Sequence, residues 1–211
     1  MISKILSFYK DIVTIESFED MPPSWQLVNP YAIHWDRFEF FIKKYYKTGS
    51  KRDLIIALNP GRKGCNKTGI ALTDENVLCT KLGYPSNNQK PEVERTATRI
   101  WSIIEKLHPN LNTFFSKFFM TNIFPFGIVE DGKNVDFSKI IKIQSIKNFS
   151  KAFISKSIDI FDPEKIICIG RKSEEFMYSH FSDQRLRLTY LHHPARTFGE
   201  KEKMTYLMYL K

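Results

Sequence analysis

Apolar residues along the chain follow two rhythms. Four short, nearly unbroken runs, Leu54–Leu58, Phe118–Ile123, Lys165–Gly170 and Leu186–His192, predict strands, the first of them buried. Elsewhere the apolar positions return every three or four residues. Trp35, Phe38, Ile42 and Tyr45 or Tyr46 predict one helix, and Ile100, Ile103, Ile104 and Leu107 mark the inward stripe of another over Glu92–Leu107. Further helices are expected in the opening stretch, over Lys139–Phe161 as one long helix or a pair, over Arg171–His180, and from about Glu200. His108-Pro109-Asn110 stops the Glu92–Leu107 helix, so His108 reads as punctuation. Strands alternating with helices predict an α/β chain, a three-layer α/β/α sandwich around a central, mostly parallel four-stranded sheet. Ligands of such sheets bind at the carboxyl ends of the strands. No repeat or linker divides the sequence, and 211 residues suit one domain, 1–211.

Those carboxyl ends direct attention to the first strand. It stops at Asn59-Pro60-Gly61, a triplet that continues neither a helix nor a central strand. Gly64 and Gly69 follow in the loop behind it, where a missing side chain lets backbone approach a ligand. Asn59 and this loop are therefore the leading site candidate. Gly61–Thr68 also spells G-x-x-x-x-N-K-T, one residue from a nucleotide phosphate loop. Against that reading, the residues after Thr68 lack helical periodicity. Neither the run around Phe119 nor that around Ile167 ends in an acid that could hold magnesium. Gly83-Tyr84-Pro85-Ser86-Asn87-Asn88 is a second turn-rich segment.

Composition narrows the classes. A hydrophobic content of 42% is that of a globular protein, and a net charge of +9 suits a polyanionic partner, although a solvated lysine surface has the same composition. Cys65, Cys79 and Cys168 are too few and too scattered for a disulfide framework or a four-cysteine cluster. Lys4 and Lys10 interrupt the N-terminus too soon for a signal peptide, and no apolar run is long enough to cross a membrane; an intracellular protein is expected.

Asn59-Pro60-Gly61-Arg62-x-Gly64-x-x-x-Thr68-Gly69-Ile70-x-x-Thr73-Asp74 resembles the first motif of the uracil-DNA glycosylase superfamily, in particular its single-strand-selective monofunctional branch and that branch's bacterial relatives. Tyr190-Leu191-His192-His193-Pro194-Ala195-Arg196 is similar to the branch's C-terminal His-Pro motif, and Thr121-Asn122-Ile123-Phe124-Pro125 to its second-strand asparagine. The three occur in the family's order. The resemblance implies a uracil-DNA glycosylase-like fold and a monofunctional hydrolase that cleaves the N-glycosidic bond of a flipped uracil or related pyrimidine in DNA, leaving an abasic site. It assigns Asn59 and His193 to catalysis, Gly61, Cys65, Leu72 and Asn122 to the base, and Arg62, Lys63, Lys67 and Arg196 to DNA. Asn59, a neutral amide, would position the attacking water, and His193 would donate to the base O2. Asn122 would read O4 and N3–H. The implied partner is single-stranded or duplex DNA. Neither metal nor cofactor is expected, and the implied protein is a monomer, cytoplasmic and nucleoid-associated in a bacterium or virus or nuclear in a eukaryote.

The chain departs from the family pattern at several positions. Leu72 stands where the family has an aromatic residue that stacks on the base, leaving Phe124, Phe126 and Tyr84 as available rings. Lys63 stands where the family commonly has a phenylalanine, and its closeness in sequence to Asn59 keeps a lyase activity open; Ala195 replaces a serine. The motif around Arg196 is one residue shorter. A glycosylase for a bulkier modified pyrimidine and a catalytically silent nucleic-acid-binding relative therefore stay as alternatives. Each site residue also has an ordinary reading: Asn59 as a turn cap, Asn122 as a partner for buried backbone, His193 as a packed strand-end histidine.

Overall fold

The computed structural model describes residues 1–47, 49, 51–85, 90–182, 186–196 and 198–211. Ser86, Asn87 and Asn88 of the turn-rich segment lie outside the described residues. In chain order the first elements are α1 (Ile2–Lys10), β1 (Gln26–Val28), α2 (Pro30–Ile33), α3 (Trp35–Tyr45), β2 (Asp53–Ala57), α4 (Cys65–Thr68), α5 (Glu75–Thr80), α6 (Arg95–Leu107) and α7 (Leu111–Lys117). There follow β3 (Phe118–Asn122), β4 (Gly127–Glu130), β5 (Lys133–Asn134), α8 (Phe137–Ile140), α9 (Gln144–Phe161), β6 (Lys165–Ile169), α10 (Arg171–Phe181), β7 (Arg187–Leu191) and α11 (Glu200–Tyr209).

The four expected strands form one sheet in the order β3-β2-β6-β7, and every pairing is parallel. Helices flank it in a three-layer sandwich. Ala57 of β2 pairs with Asn122 of β3, and Ile169 of β6 with Leu191 of β7, so all four strands end on the same edge. Ile55, Ile56, Ile166 and Ile167 are fully buried, each contributing roughly 1.5–3 kcal/mol through burial. Above them Phe119 stacks on Phe161 with centroids 4.0 Å apart. Tyr9 of α1 reaches into this layer and its hydroxyl meets Thr121 Oγ1 at 3.1 Å. His108 caps α6, and its Nε2 donates to Leu210 O at 2.6 Å, tying down the last residues. No helix among the described residues is long and apolar enough to cross a membrane.

The start of one helix differs from the sequence expectation, and 139–161 takes the second of its two expected forms; a distant carboxylate intervenes in each case. Helix α6 starts at Arg95 rather than Glu92, since Asp74 Oδ2 accepts the Glu94 N–H at 2.6 Å and Glu94 stays extended at φ −119°. The 139–161 segment resolves into the pair α8 and α9. Asp20 accepts Gln144 N–H at 2.9 Å and Ser145 N–H at 3.3 Å, so the start of α9 is capped from 124 residues away. A small antiparallel sheet, β1-β4-β5, has strands of three, four and two residues, too short to show a period in the sequence.

Candidate active site

The ladder between β2 and β3 continues past the strands: Ile123 N–H donates to Ala57 O at 2.8 Å and Phe124 N–H to Leu58 O at 3.0 Å. Asn59 is thereby fixed beside the end of the strand that carries Asn122. After Pro60 the loop folds on itself, with Gly61 O accepting from Gly64 N–H and Asn66 N–H. It forms only the four-residue α4 before Gly69, at φ +71°, turns it away. A nucleotide phosphate loop opens a long helix at this point, so this geometry overturns that reading. Thr68 then organises the return: its Oγ1 donates to Thr73 O at 2.8 Å and accepts Ile70 N–H at 3.1 Å. Leu72 is held at φ +57°, a left-handed conformation that costs a non-glycine residue roughly 1–3 kcal/mol, while Trp101 Nε1 donates to its carbonyl at 3.1 Å.

This folding closes a cavity of about 190 Å³ at the carboxyl edge of the sheet, lined by Ala57, Leu58, Asn59, Gly61, Cys65, Leu72, Glu94, Thr96, Asn122 and His193. All six residues assigned in the sequence to catalysis or base binding are among them. The volume lies below the roughly 300–1,000 Å³ of drug-sized sites and suits one flat ring. Asn122 is buried, and its Nδ2 donates to Cys65 Sγ at 3.5 Å. Burial pushes the Cys65 thiol up; the Asn122 hydrogen bond opposes the shift and the charge of Glu94 adds to it.

His193 has a defined tautomer. Its Nδ1 accepts the Ala195 N–H at 3.2 Å, so Nε2 carries the ring hydrogen. Burial lowers its pKa, helped by the charges of Arg196 and His192, which keeps the ring neutral at pH 7. Three elements hold the turn. From α6, Arg99 donates to Pro194 O and to Arg196 O, the latter at 2.8 Å. From α11, Tyr206 Oη donates to His192 O at 2.7 Å. After β6, Gly170 sits at φ +91°, where a Cβ would stand 3.3 Å from His193 Cβ.

A second groove of about 580 Å³ shares Leu58 and His193 with the cavity and is lined further by Arg171, Lys172, Tyr190, His192 and Arg196, among others. Arg171 lies 4.6 Å over the Tyr190 ring at the start of α10. Of the four residues assigned to DNA, Arg196 borders this groove. Arg62, Lys63 and Lys67 are exposed on the loop and line neither the cavity nor the groove; Arg62 Nη1 donates to Gly132 O at 3.0 Å.

The rings available to replace an aromatic at 72 do not reach the cavity. Phe124 and Phe126 are fully buried among Phe18 and Phe149, and Tyr84 donates to Asp36. Sequence reasoning also missed Glu94 and Thr96 in the cavity, Arg171 and Lys172 in the groove, and Arg99 behind the His193 turn. No sequence signal marked Glu94: with the helix expected from Glu92 it falls in the first turn, where an acidic residue is ordinary.

Comparison with known proteins bears on this site. Residues 43–211 match the family described as the uracil DNA glycosylase superfamily. The single-strand selective monofunctional uracil DNA glycosylase of Mus musculus is 22% identical over 171 residues, covering 72% of this chain and 61% of the relative. Its Bos taurus counterpart is 21% identical over 165 residues, covering 70% and 60%. The chain thus spans about three fifths of the length of the curated relatives it matches. The crystal structure of wild-type Pedobacter heparinus SMUG2 superposes with a TM-score of 0.85 at 25% identity, covering 99% of this chain and 94% of that one. With the family match running from α3 to the last residue, through every strand of the parallel sheet, this chain belongs to the uracil DNA glycosylase superfamily.

Proposed function

We propose that this protein hydrolyses the N-glycosidic bond of a uracil rotated out of DNA, single-stranded DNA in particular, and leaves an abasic site. The observation that carries the reading is the meeting of Asn59, Asn122 and the Nε2–H of His193 around a cavity the size of one base. Breaking C1′–N1 leaves an oxocarbenium-like sugar and an anionic base, so the site must hold a water and supply donors to the base oxygens. Asn59 positions the water. Neutral His193 donates to O2, where charge grows as the bond breaks. Asn122 presents a donor and an acceptor to O4 and N3–H, a pattern that the amino group of cytosine mismatches. Arg171, Lys172, Arg196 and the N-terminus of α10 hold the phosphate beside the rotated nucleotide. Arg62, Lys63 and Lys67 meet the strand farther away.

A single-stranded oligonucleotide with one uracil, incubated with the protein and then cleaved by alkali, tests this reading. Strand scission at the uracil is expected, with or without EDTA; an intact strand contradicts it.

Leu72 favours a second reading within the same chemistry, a bulkier modified pyrimidine. Base–aromatic stacking is worth roughly 1–3 kcal/mol, about ten- to a hundredfold in rate, and none of Phe124, Phe126 and Tyr84 lines the cavity in its place. Leu72→Phe is therefore expected to raise excision of uracil relative to a 5-substituted pyrimidine by about tenfold. The ratio of the two rates measures this, read beside a melting curve. An unchanged ratio in a folded variant removes Leu72 from the base contact and leaves it as packing beneath the loop.

A further inference from the structure

Glu94 lies in the cavity wall but belongs to none of the three motifs. It precedes α6, and its side chain makes no capping bond to that helix. The carboxylate instead fills the space that side chains on the Asn59 loop would occupy. A Cβ on Gly61 would stand 3.1 Å from Glu94 Oε1, and a Cβ on Gly64 would collide with Oε2. The two loop glycines thus make room for this acid two residues from Asn59. Its backbone is fixed by Asp74, a fully buried residue that accepts Glu94 N–H through Oδ2 and Val77 N–H through Oδ1 at 2.8 Å. Among the described residues no Lys, Arg or His forms an ion pair with Glu94. A carboxylate anchored from behind, unneutralised and open to a cavity with a water-positioning amide is placed to take a proton.

We infer that Glu94 is the proton acceptor for the attacking water, resting on the glycosylase reading above. Asn59 accepts one hydrogen of the water and Glu94 the other. As the water oxygen bonds to C1′, the C1′–N1 bond breaks and its electron pair leaves on N1, with the charge on O2 held by His193. The water proton passes to Glu94 and from there to the base anion, so that the products are a neutral base and a C1′ hydroxyl. The groups facing the acid are Asp74 from the loop before α5, Cys65 on α4, Thr96 in the first turn of α6 and His193 after β7. Burial raises the Glu94 pKa, the charge of Asp74 adds to the rise, and the Thr96 hydroxyl opposes it. Because the acceptor must be deprotonated, excision rises with pH through this raised value.

The test is single-turnover release of uracil from a single-stranded oligonucleotide as a function of pH. Glu94→Gln keeps the shape and removes the basicity. It is expected to lower the rate at neutral pH by roughly a hundredfold, leave DNA affinity unchanged, and flatten the acidic limb of the profile. Glu94→Ala is expected to regain activity with added formate but not with chloride at equal ionic strength. A Gln variant with the parental rate, an acidic limb that survives the substitution, or an Ala variant that formate does not restore overturns the assignment to Glu94 alone. A wild-type protein that releases no base overturns the glycosylase reading, and this inference falls with it.

Discussion

Asn59→Ala is expected to slow uracil release roughly a thousandfold while the protein melts as the parent does. The size follows from position. Asn59 hangs from a strand end that is fixed on one side by the Leu58–Phe124 hydrogen bond, and its side chain borders the cavity. It is only partly buried, so truncation opens no core cavity and removes little packing. What disappears, on the proposed mechanism, is the group that holds water in line with C1′. A thousandfold loss corresponds to about 4 kcal/mol of transition-state stabilisation, within the range known for one preorganised polar group in an enclosed site. Single-turnover kinetics with enzyme in excess measure it, because product release does not enter. A parental rate would remove Asn59 from the chemistry.

His193→Ala is expected to cost roughly two to three orders of magnitude in the same assay, with DNA affinity nearly unchanged. The donor is preorganised twice over. The Ala195 N–H assigns the ring hydrogen to Nε2, and Arg99, Tyr206 and Gly170 set where the ring stands. Since the interaction strengthens only as charge reaches O2, its loss belongs in the chemical step rather than in binding. The same environment gives a stability signature. The folded pKa is lowered below the unfolded value near 6.5, so as pH falls the unfolded chain takes up this proton first. The contribution is complete above about pH 6.5 and is lost as pH falls toward the lowered value. Melting curves of parent and His193→Ala across that interval are expected to converge toward acid; parallel curves would mean that His193 titrates normally.

The parallel sheet was legible because its strands are uninterrupted apolar runs, Leu54–Leu58 and Phe118–Ile123 above all, and such runs have little alternative but burial. Asn59 was legible as the polar residue just past a strand end, whereas Asn122 and His193 were singled out by their resemblance to the family's motifs; because parallel strands end together, the three then meet on one edge. Glu94 was not legible. It reaches the cavity because Asp74, twenty residues earlier, holds its backbone extended, a contact with no periodicity. Which of its two expected forms the 139–161 segment takes is a similar case, since Asp20 caps α9 across the whole central part of the chain. The basic groove beside the cavity was hidden for another reason. Arg62, Lys63 and Lys67 are close to Asn59 in sequence, but the turn through α4 leaves them on the outer surface, whereas Arg171 and Lys172 arrive from β6, the neighbour of β2. Adjacency in the sheet decided what adjacency in the chain could not. The aromatic substitutes for Leu72 failed likewise, since Phe124 and Phe126 are consumed by the cluster around Phe149.

On the proposed mechanism water, and not a side chain, displaces the base in this cavity. Reaction of a uracil-containing single strand in ¹⁸O-enriched water under single-turnover conditions, with mass analysis of both products, addresses it directly. To keep the label from exchanging, the abasic product is reduced by borohydride as it forms. Unlabelled free uracil, one ¹⁸O at C1′ of the trapped sugar, and no DNA joined to protein are expected. A borohydride-stable adduct between the strand and a lysine such as Lys63, or a strand that keeps its uracil, would contradict it.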